Sequence, residues 1–390
     1  MKTETKASQL KPATITRREF LAQSSRVVAA SALAGVALPH VHAAVDSTIR
    51  LALIGCGGRG TGAVGNAIEA SGGPVKLVAM ADLFENKQSI SHKTLSMKYA
   101  ESVDVPPDRK FLGFDAYRKA IDCLRPGDVA LLTTHAAFRA TQLEYAVSKG
   151  VNVFMEKSFA PDPGGIKRVL RAGEAAEQKN LKIATGLMCR HSSARQALIG
   201  KIREGAVGEV ELIRAYRMDS GSRMAPRKDN ENELHWQIRH PYFFLWVSTG
   251  RFIDYMIHQV DECCWIKDGP PVSAHGLGGR VPSSTDCSQN FDTYAIEYTF
   301  ADGTKAQVNG RFIPKCHDDF ATFLHGSKCA AQFSGNVHMP TVQIYKSQRA
   351  TNDNIAWRPE KEDVNPYVAE WNDLLHAIRN DTKHNEVKRS

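Results

Sequence analysis

The stretch Ile49-Arg50-Leu51-Ala52-Leu53-Ile54-Gly55-Cys56-Gly57-Gly58-Arg59-Gly60 decides the fold. Thr48–Gly55 reads as a short buried strand, apolar and closed by a glycine. It runs straight into a G-x-G-x-x-G pattern carried by Gly55, Gly57 and Gly60. Gly55 permits a tight turn, Gly57 lets a pyrophosphate approach the backbone, and Gly60 lets helix pack on strand. A helix-compatible stretch follows to about Ala70, and the free amides of its first turn favour an anion. Glycine-rich turns are common, so the pattern alone is weak. Here a strand precedes it, a helix follows, and Asp82 comes 22 residues after Gly60 at the end of the next strand. That is the context a dinucleotide-binding fingerprint demands. An acid there accepts from the adenosine ribose hydroxyls and repels a 2′-phosphate, so NAD is expected over NADP.

Outward from this motif the chain alternates. Val75–Ala81, Val129–Thr134 and Val151–Met155 read as strands, and Tyr117–Leu124, Gln142–Lys149 and Gly164–Lys179 as helices, with a further strand near Lys182–Leu187. Strands and helices at these distances imply parallel β-α-β units. From about residue 208 the pattern changes. Glu209–Met218, Thr293–Phe300, Lys305–Ile313 and Ala330–Phe333 read as strands of an antiparallel meander, with a tight turn at Ala301-Asp302-Gly303. One helix, about Arg251–Ile266, precedes the last three of these strands, Arg217–Glu233 reads as a polar loop near the site, and a helix spans about Val368–Asn380. The fold class is therefore α/β: an N-terminal Rossmann dinucleotide-binding domain over 48–160 and a C-terminal α+β domain over 161–362 with an open, mostly antiparallel sheet. Residues 363–390 form a C-terminal helix and tail.

The formal net charge of +8 suggests an anionic partner at first sight. Residues 1–43 hold six Lys/Arg and two acids, leaving 44 basic and 40 acidic residues, a net of +4. Half the excess sits in the leader, which removes the main support for nucleic-acid binding. Within the leader, Thr16-Arg17-Arg18-Glu19-Phe20-Leu21 precedes the apolar run Val27–Pro39 and the small-residue end Val41-His42-Ala43. This reads as a twin-arginine export signal over 1–43, so the expected partner is that export machinery and the expected location periplasmic or otherwise exported. The apolar run is well under the ~20 residues that span a bilayer, so no stable membrane anchor is expected. The eight cysteines show no framework: Cys263 and Cys264 are adjacent, Cys56 lies in the glycine loop, and C-x-x-C is absent.

Two clusters carry chemistry. Glu156-Lys157 follows the strand Val151–Met155 directly, and ligands of open α/β sheets bind outside the carboxyl ends of the strands. In Asp254-Tyr255-Met256-Ile257-His258-Gln259-Val260-Asp261 the acid and the imidazole stand one helical turn apart, and Asp261 continues the stripe. A carboxylate neighbour can fix the tautomer of a histidine and raise its basicity, as a general base requires. The same spacing also suits a plain i,i+4 ion pair. Metal binding is a third use, but no nearby Cys or second His completes a ligand set, and no metal is expected.

With the glycine loop, Ala81-Asp82, Met155-Glu156-Lys157 and the Asp254…His258…Asp261 helix on one chain, the sequence resembles the glucose–fructose oxidoreductase / inositol dehydrogenase / MocA family from about Ile49 to Arg379. The resemblance implies Lys157, Asp254 and His258 as the catalytic trio. It implies that Gly55, Gly57, Gly58, Arg59, Gly60, Asp82, Thr134, Glu156 and Lys157 hold the cofactor. Arg190, His191, Trp236, Arg239, His240 and Asp261 are candidates for the substrate side. The family usually has Glu-Lys-Pro where this chain has Glu156-Lys157-Ser158, and exported members of similar layout often continue past the equivalent of Glu386, whereas this chain stops at Ser390.

The implied chemistry is hydride exchange between a carbinol carbon and a nicotinamide, with His258 taking the hydroxyl proton, Asp254 orienting it and Lys157 stabilising charge on oxygen. Free nicotinamide cofactor is scarce outside the cytoplasm, so export in folded form implies a bound, recycled cofactor. Two routes satisfy this: oxidation of one sugar with reduction of another, or transient ring oxidation, elimination and hydride return, as in NAD-dependent glycosidases. A non-catalytic sugar sensor on the same scaffold is the alternative of a different class. A homo-oligomer through the exposed sheet face is expected.

Overall fold

The computed structural model describes residues 47–221, 224–284, 287–335, 341–361 and 364–388. The expected export signal over 1–43 lies outside the described residues. Six parallel strands form the first sheet: β1 (Ile49–Ile54), β2 (Val75–Asp82), β3 (Lys110–Leu112), β4 (Val129–Leu132), β5 (Asn152–Met155) and β6 (Ile183–Ala184). Their order is β3-β2-β1-β4-β5-β6, the doubly wound order of a dinucleotide-binding sheet.

Successive side chains of a strand point to opposite faces, and both faces here are covered. Ala52, Ile54, Leu132 and Met155 meet the helices Ala116–Ile121, Ala136–Ser148 and Pro163–Gln178. Leu51, Leu53, Leu131 and Phe154 meet the helices Gly58–Glu69 and Pro366–Arg379. Trp371 of the latter stacks on Phe154 with ring centroids 4.4 Å apart. Burial on both sides is why these strands are near-continuous apolar runs.

The sheet reaches past the expected domain edge at 160, because β6 pairs with β5 through Val153↔Ile183 and Phe154↔Ala184. The C-terminal helix returns to this sheet, and Ile183 bridges Asn385 in the tail. Four helices, Glu85–Lys98, Ser193–Arg203 and the short Glu233–Arg239 and Leu245–Ser248, were not anticipated. The first is polar nearly all round, burying only Gln88, Ser91 and Leu95, and so has no apolar stripe to read.

The second sheet has eight strands in the order β14-β13-β12-β11-β7-β10-β9-β8. They are β7 (Val210–Asp219), β8 (Ser273–Gly279), β9 (Thr293–Thr299), β10 (Lys305–Phe312), β11 (Thr322–Gly326), β12 (Ala330–Ser334), β13 (Gln343–Tyr345) and β14 (Ile355–Trp357). The 301–303 turn joins β9 to β10 as expected, with Phe300 N donating to Thr304 O. The meander expectation needs two corrections: β8, β11, β13 and β14 were not anticipated, and β7 and β10 are parallel. Parallel neighbours require a crossover, and the helix Gly250–Lys267 lies in it, packing Met256, Cys263 and Ile266 on Ile213, Val308 and Phe312. The sheet is mixed and mostly antiparallel. Among the described residues no helix is long and apolar enough to cross a membrane.

Candidate active site

A cleft of about 400 Å³ opens at the carboxyl ends of β1, β2, β4 and β5. Its floor is the glycine loop. Gly55 has φ +95°, and a Cβ there would meet Thr134 N at 2.7 Å and Thr133 C at 2.8 Å. A Cβ on Gly60 would lie 2.2 Å from Gly55 O. Around Gly57 and Gly58, by contrast, no atom lies within 4 Å of a built Cβ. Two glycines are thus demanded by the fold and two leave room over the first turn of the Gly58–Glu69 helix, where the amides favour an anion. That open cradle fits a pyrophosphate.

Asp82, at the end of β2, is half-buried. Its carboxylate accepts from Cys56 N at 2.6 Å and from Phe84 N at 2.8 Å. Burial pushes its pKa up, against these amide donors. A carboxylate offers roughly four acceptor positions, so these amides leave capacity for a further donor. Thr134 donates through Oγ1 to Gln142 Oε1 at 2.6 Å, while its carbonyl accepts from the fully buried Arg139. Glu156 is buried and takes Arg59 Nε at 2.6 Å, and the Arg59 guanidinium lies 4.7 Å from the Tyr367 ring centre. All the expected cofactor residues lie on this cleft.

The far end of the cleft brings Lys157 and Asp254 together. Lys157 Nζ donates to the Asp254 carbonyl and stands 3.6 Å from Asp254 Oδ1. Ser158, at the place where the resembled family has proline, donates from Oγ to the same carboxylate oxygen at 3.2 Å. The helix stripe predicted from spacing exists, and each of its members meets a segment that follows β5 or β6: Asp254 meets Lys157 and Ser158, His258 meets Cys189, and Asp261 meets Arg190. Only the Asp254 end opens on the cleft. His258 is 7% exposed with Nδ1 3.9 Å from Cys189 Sγ, and it does not line the cleft. One helical turn advances about 5.4 Å along the axis, enough to carry the imidazole from the wall into the packing behind it.

The substrate-side candidates separate. Arg190 and Asp261 form a bidentate pair at 2.7 and 3.0 Å, so neither faces the cleft. Trp236 is buried with Met224, Phe243, Phe244 and Val247, and His240 Nδ1 lies 2.8 Å from Trp236 O; both are packing residues. Arg239 does line the cleft, with its guanidinium 4.3 Å from the Phe84 ring centre. His191 lines a different hollow with Arg190.

Two cleft residues were missed. His135 sits at the carboxyl end of β4, and burial lowers its pKa to about 4, partly opposed by Asp254. The position rule that singled out Lys157 after β5 would have found it. Tyr242 leans edge-on against Tyr255 at 5.1 Å, and burial with Asp254 nearby raises its pKa; nothing local marked it.

No protein-family profile and no curated protein matches the sequence. Solved structures do. Myo-inositol 2-dehydrogenase from Lactobacillus plantarum aligns with TM-score 0.65 and 19% identity over 88% of this chain and 93% of its own. Scyllo-inositol dehydrogenase from Lactobacillus casei, solved with bound NAD(H) and scyllo-inositol, gives 0.63 and 19% over 86% and 91%. Aldose-aldose oxidoreductase from Caulobacter crescentus gives 0.66 and 15% over 86% and 91%. The chain has the two-sheet fold of these sugar and cyclitol oxidoreductases.

Proposed function

We propose that this protein is an exported oxidoreductase that moves hydride between a sugar or cyclitol and a tightly held nicotinamide cofactor, NAD in preference to NADP. The observation that carries this reading is one cleft with an open glycine cradle and Asp82 at one end and the Lys157–Asp254 pair at the other. Gly57, Gly58 and the first helical amides hold the pyrophosphate, and Asp82 takes the adenosine ribose. The nicotinamide, when bound, supplies the hydride acceptor.

Lys157 donates to the substrate oxygen as charge develops on it. Asp254, the carboxylate on the wall, takes the hydroxyl proton, with Ser158 orienting it. This moves the acceptor one turn from His258, where the family resemblance puts it, and makes His258 a positioning residue behind Asp254. The twin-arginine leader and the scarcity of free cofactor outside the cytoplasm support a cofactor carried out already bound and recycled between two sugars. The broad face of the second sheet supports a homo-oligomer.

The test is to purify the exported protein, look for bound nicotinamide by absorbance and mass, and offer sugars and aryl glycosides with no cofactor added. Paired lactone and alditol formation is expected. Aglycone release would reassign the site to oxidation–elimination hydrolysis, and sugar binding without product would make it a sensor.

A further inference from the structure

Behind Glu156, away from the cleft, three distant segments converge: the turn Met188–His191, the helix Pro366–Arg379 and the tail at Glu386. One ligand atom each from His191, Glu370 and Glu386 lies within 4.8 Å of the others. Glu370 is 0% exposed, and neither of its carboxylate oxygens has a hydrogen-bond partner. An ionised carboxylate in that setting needs a cation.

The neighbouring cations are committed elsewhere. Arg59 holds Glu156 at 2.6 Å, and Arg190 holds Asp261 at 2.7 Å. His191 is shared: Nδ1 lies 2.6 Å from Asp373 Oδ2 and Nε2 3.1 Å from Glu386 Oε1. Three carboxylates therefore surround His191, and the next imidazole, His384, stands 3.9 Å from Glu386 Oε1. The arrangement is that of a metal-ligating histidine, one ring nitrogen fixed by an outer carboxylate and the other turned toward the site. Glu386 is oriented likewise: Oε2 accepts from Thr185 N at 2.9 Å, leaving Oε1 toward His191.

We infer that His191 Nε2, Glu370 and Glu386 bind a divalent transition-metal cation, Zn²⁺ by preference. One imidazole and two carboxylates form a nitrogen–oxygen set that zinc accepts. Ligand atoms at zinc distances stand about 3.4 Å apart in a tetrahedron; His191 Nε2 and Glu386 Oε1, at 3.1 Å, are already near that spacing, so it is Glu370 that closes in, by roughly an ångström. A hollow of about 460 Å³, lined by His191, Glu386, Arg190 and His384, gives entry and room for a water as fourth ligand. The metal ties the tail to the first sheet, where Ile183 N already donates to His384 O at 2.8 Å. No metal was expected from the sequence, in which 179 and 16 residues separate these ligands and no local spacing marks them. The inference does not depend on the proposed reaction.

The competing occupant of Glu370 is a proton, and the experiment separates the two. The full chain, dialysed against a chelator, is titrated with ZnCl₂ by calorimetry, and bound zinc is counted by mass spectrometry. One zinc per chain and a higher melting temperature are expected. Glu370→Gln, which keeps the shape and removes the charge, weakens zinc binding about 100-fold or more. Glu386→Gln, at a tail position whose side chain is 19% exposed, does the same and serves if the first variant fails to fold. Absence of stoichiometric zinc in the wild type, or unchanged affinity in a folded Glu370→Gln or Glu386→Gln variant, overturns the site.

Discussion

The two sheets hold their shape by different means. The first is covered on both faces, and β4 and β5 have no exposed residue at all. The second is covered on one face, and its outer strand β8 is exposed along six of seven positions. In the first sheet the backbone does the specifying: Gly55 and Gly60 are glycine because a Cβ would strike main-chain atoms. In the second unit side chains do it, and what the Gly250–Lys267 helix contributes to the cleft is Asp254. Backbone-imposed chemistry leaves a local mark on sequence; chemistry imposed by packing does not.

The largest expected effect tests the side-chain half. Asp254→Asn keeps the size and hydrogen bonds of the residue but not its basicity, so turnover falls about 10²–10⁴-fold with little change in melting temperature. His258→Ala should retain a measurable share of turnover with an unshifted pH profile; a loss as deep as that of Asp254→Asn would return the proton to the imidazole. The backbone half is tested by Gly55→Ala, which puts a Cβ at φ +95° against Thr133 and Thr134 and should cost about 2–4 kcal/mol in urea unfolding. The same exchange at Gly276 in β8, where the nearest atom would be Ile296 Cγ1 at 3.7 Å, should change stability by about 0.5 kcal/mol or less. If the two glycines respond alike, the contrast between the sheets fails.

This contrast explains what could be read. Five of the six strands of the first sheet were legible as apolar runs, though neither their order nor the three-residue β3 was, and every expected cofactor residue lies on the cleft. Lys157 was legible from its place after β5. In the second unit β8 was invisible, since Ser273-Ala274-His275-Gly276-Leu277-Gly278-Gly279 has no buried face to pattern. Arg190, Trp236 and His240 drew attention by residue type alone, and the structure uses them in an ion pair, a small apolar cluster and a contact with the Trp236 carbonyl. Residue type says what a side chain can do, while only tertiary placement decides what it faces.

Two smaller effects sharpen the comparison. Arg190→Ala strands Asp261, which is 8% exposed, and should destabilise by about 2–3 kcal/mol while leaving cofactor affinity unchanged. His135, whose pKa burial lowers to about 4, is neutral in the fold but titrates near 6.5 when unfolded. Its contribution is full above about pH 6.5 and is lost as pH falls toward 4, because the unfolded chain takes the proton first. Allowing for its partial exposure, the loss is about 1–2 kcal/mol, and His135→Gln should flatten that limb of the stability–pH curve.

The most direct test is a crystal structure of the purified protein with NADH. The account predicts the pyrophosphate over Gly57 and Gly58, the adenosine ribose on Asp82, and the nicotinamide beside Lys157 and Asp254. A dinucleotide bound elsewhere, or one whose nicotinamide lies at the Phe84 end of the cleft, would contradict it.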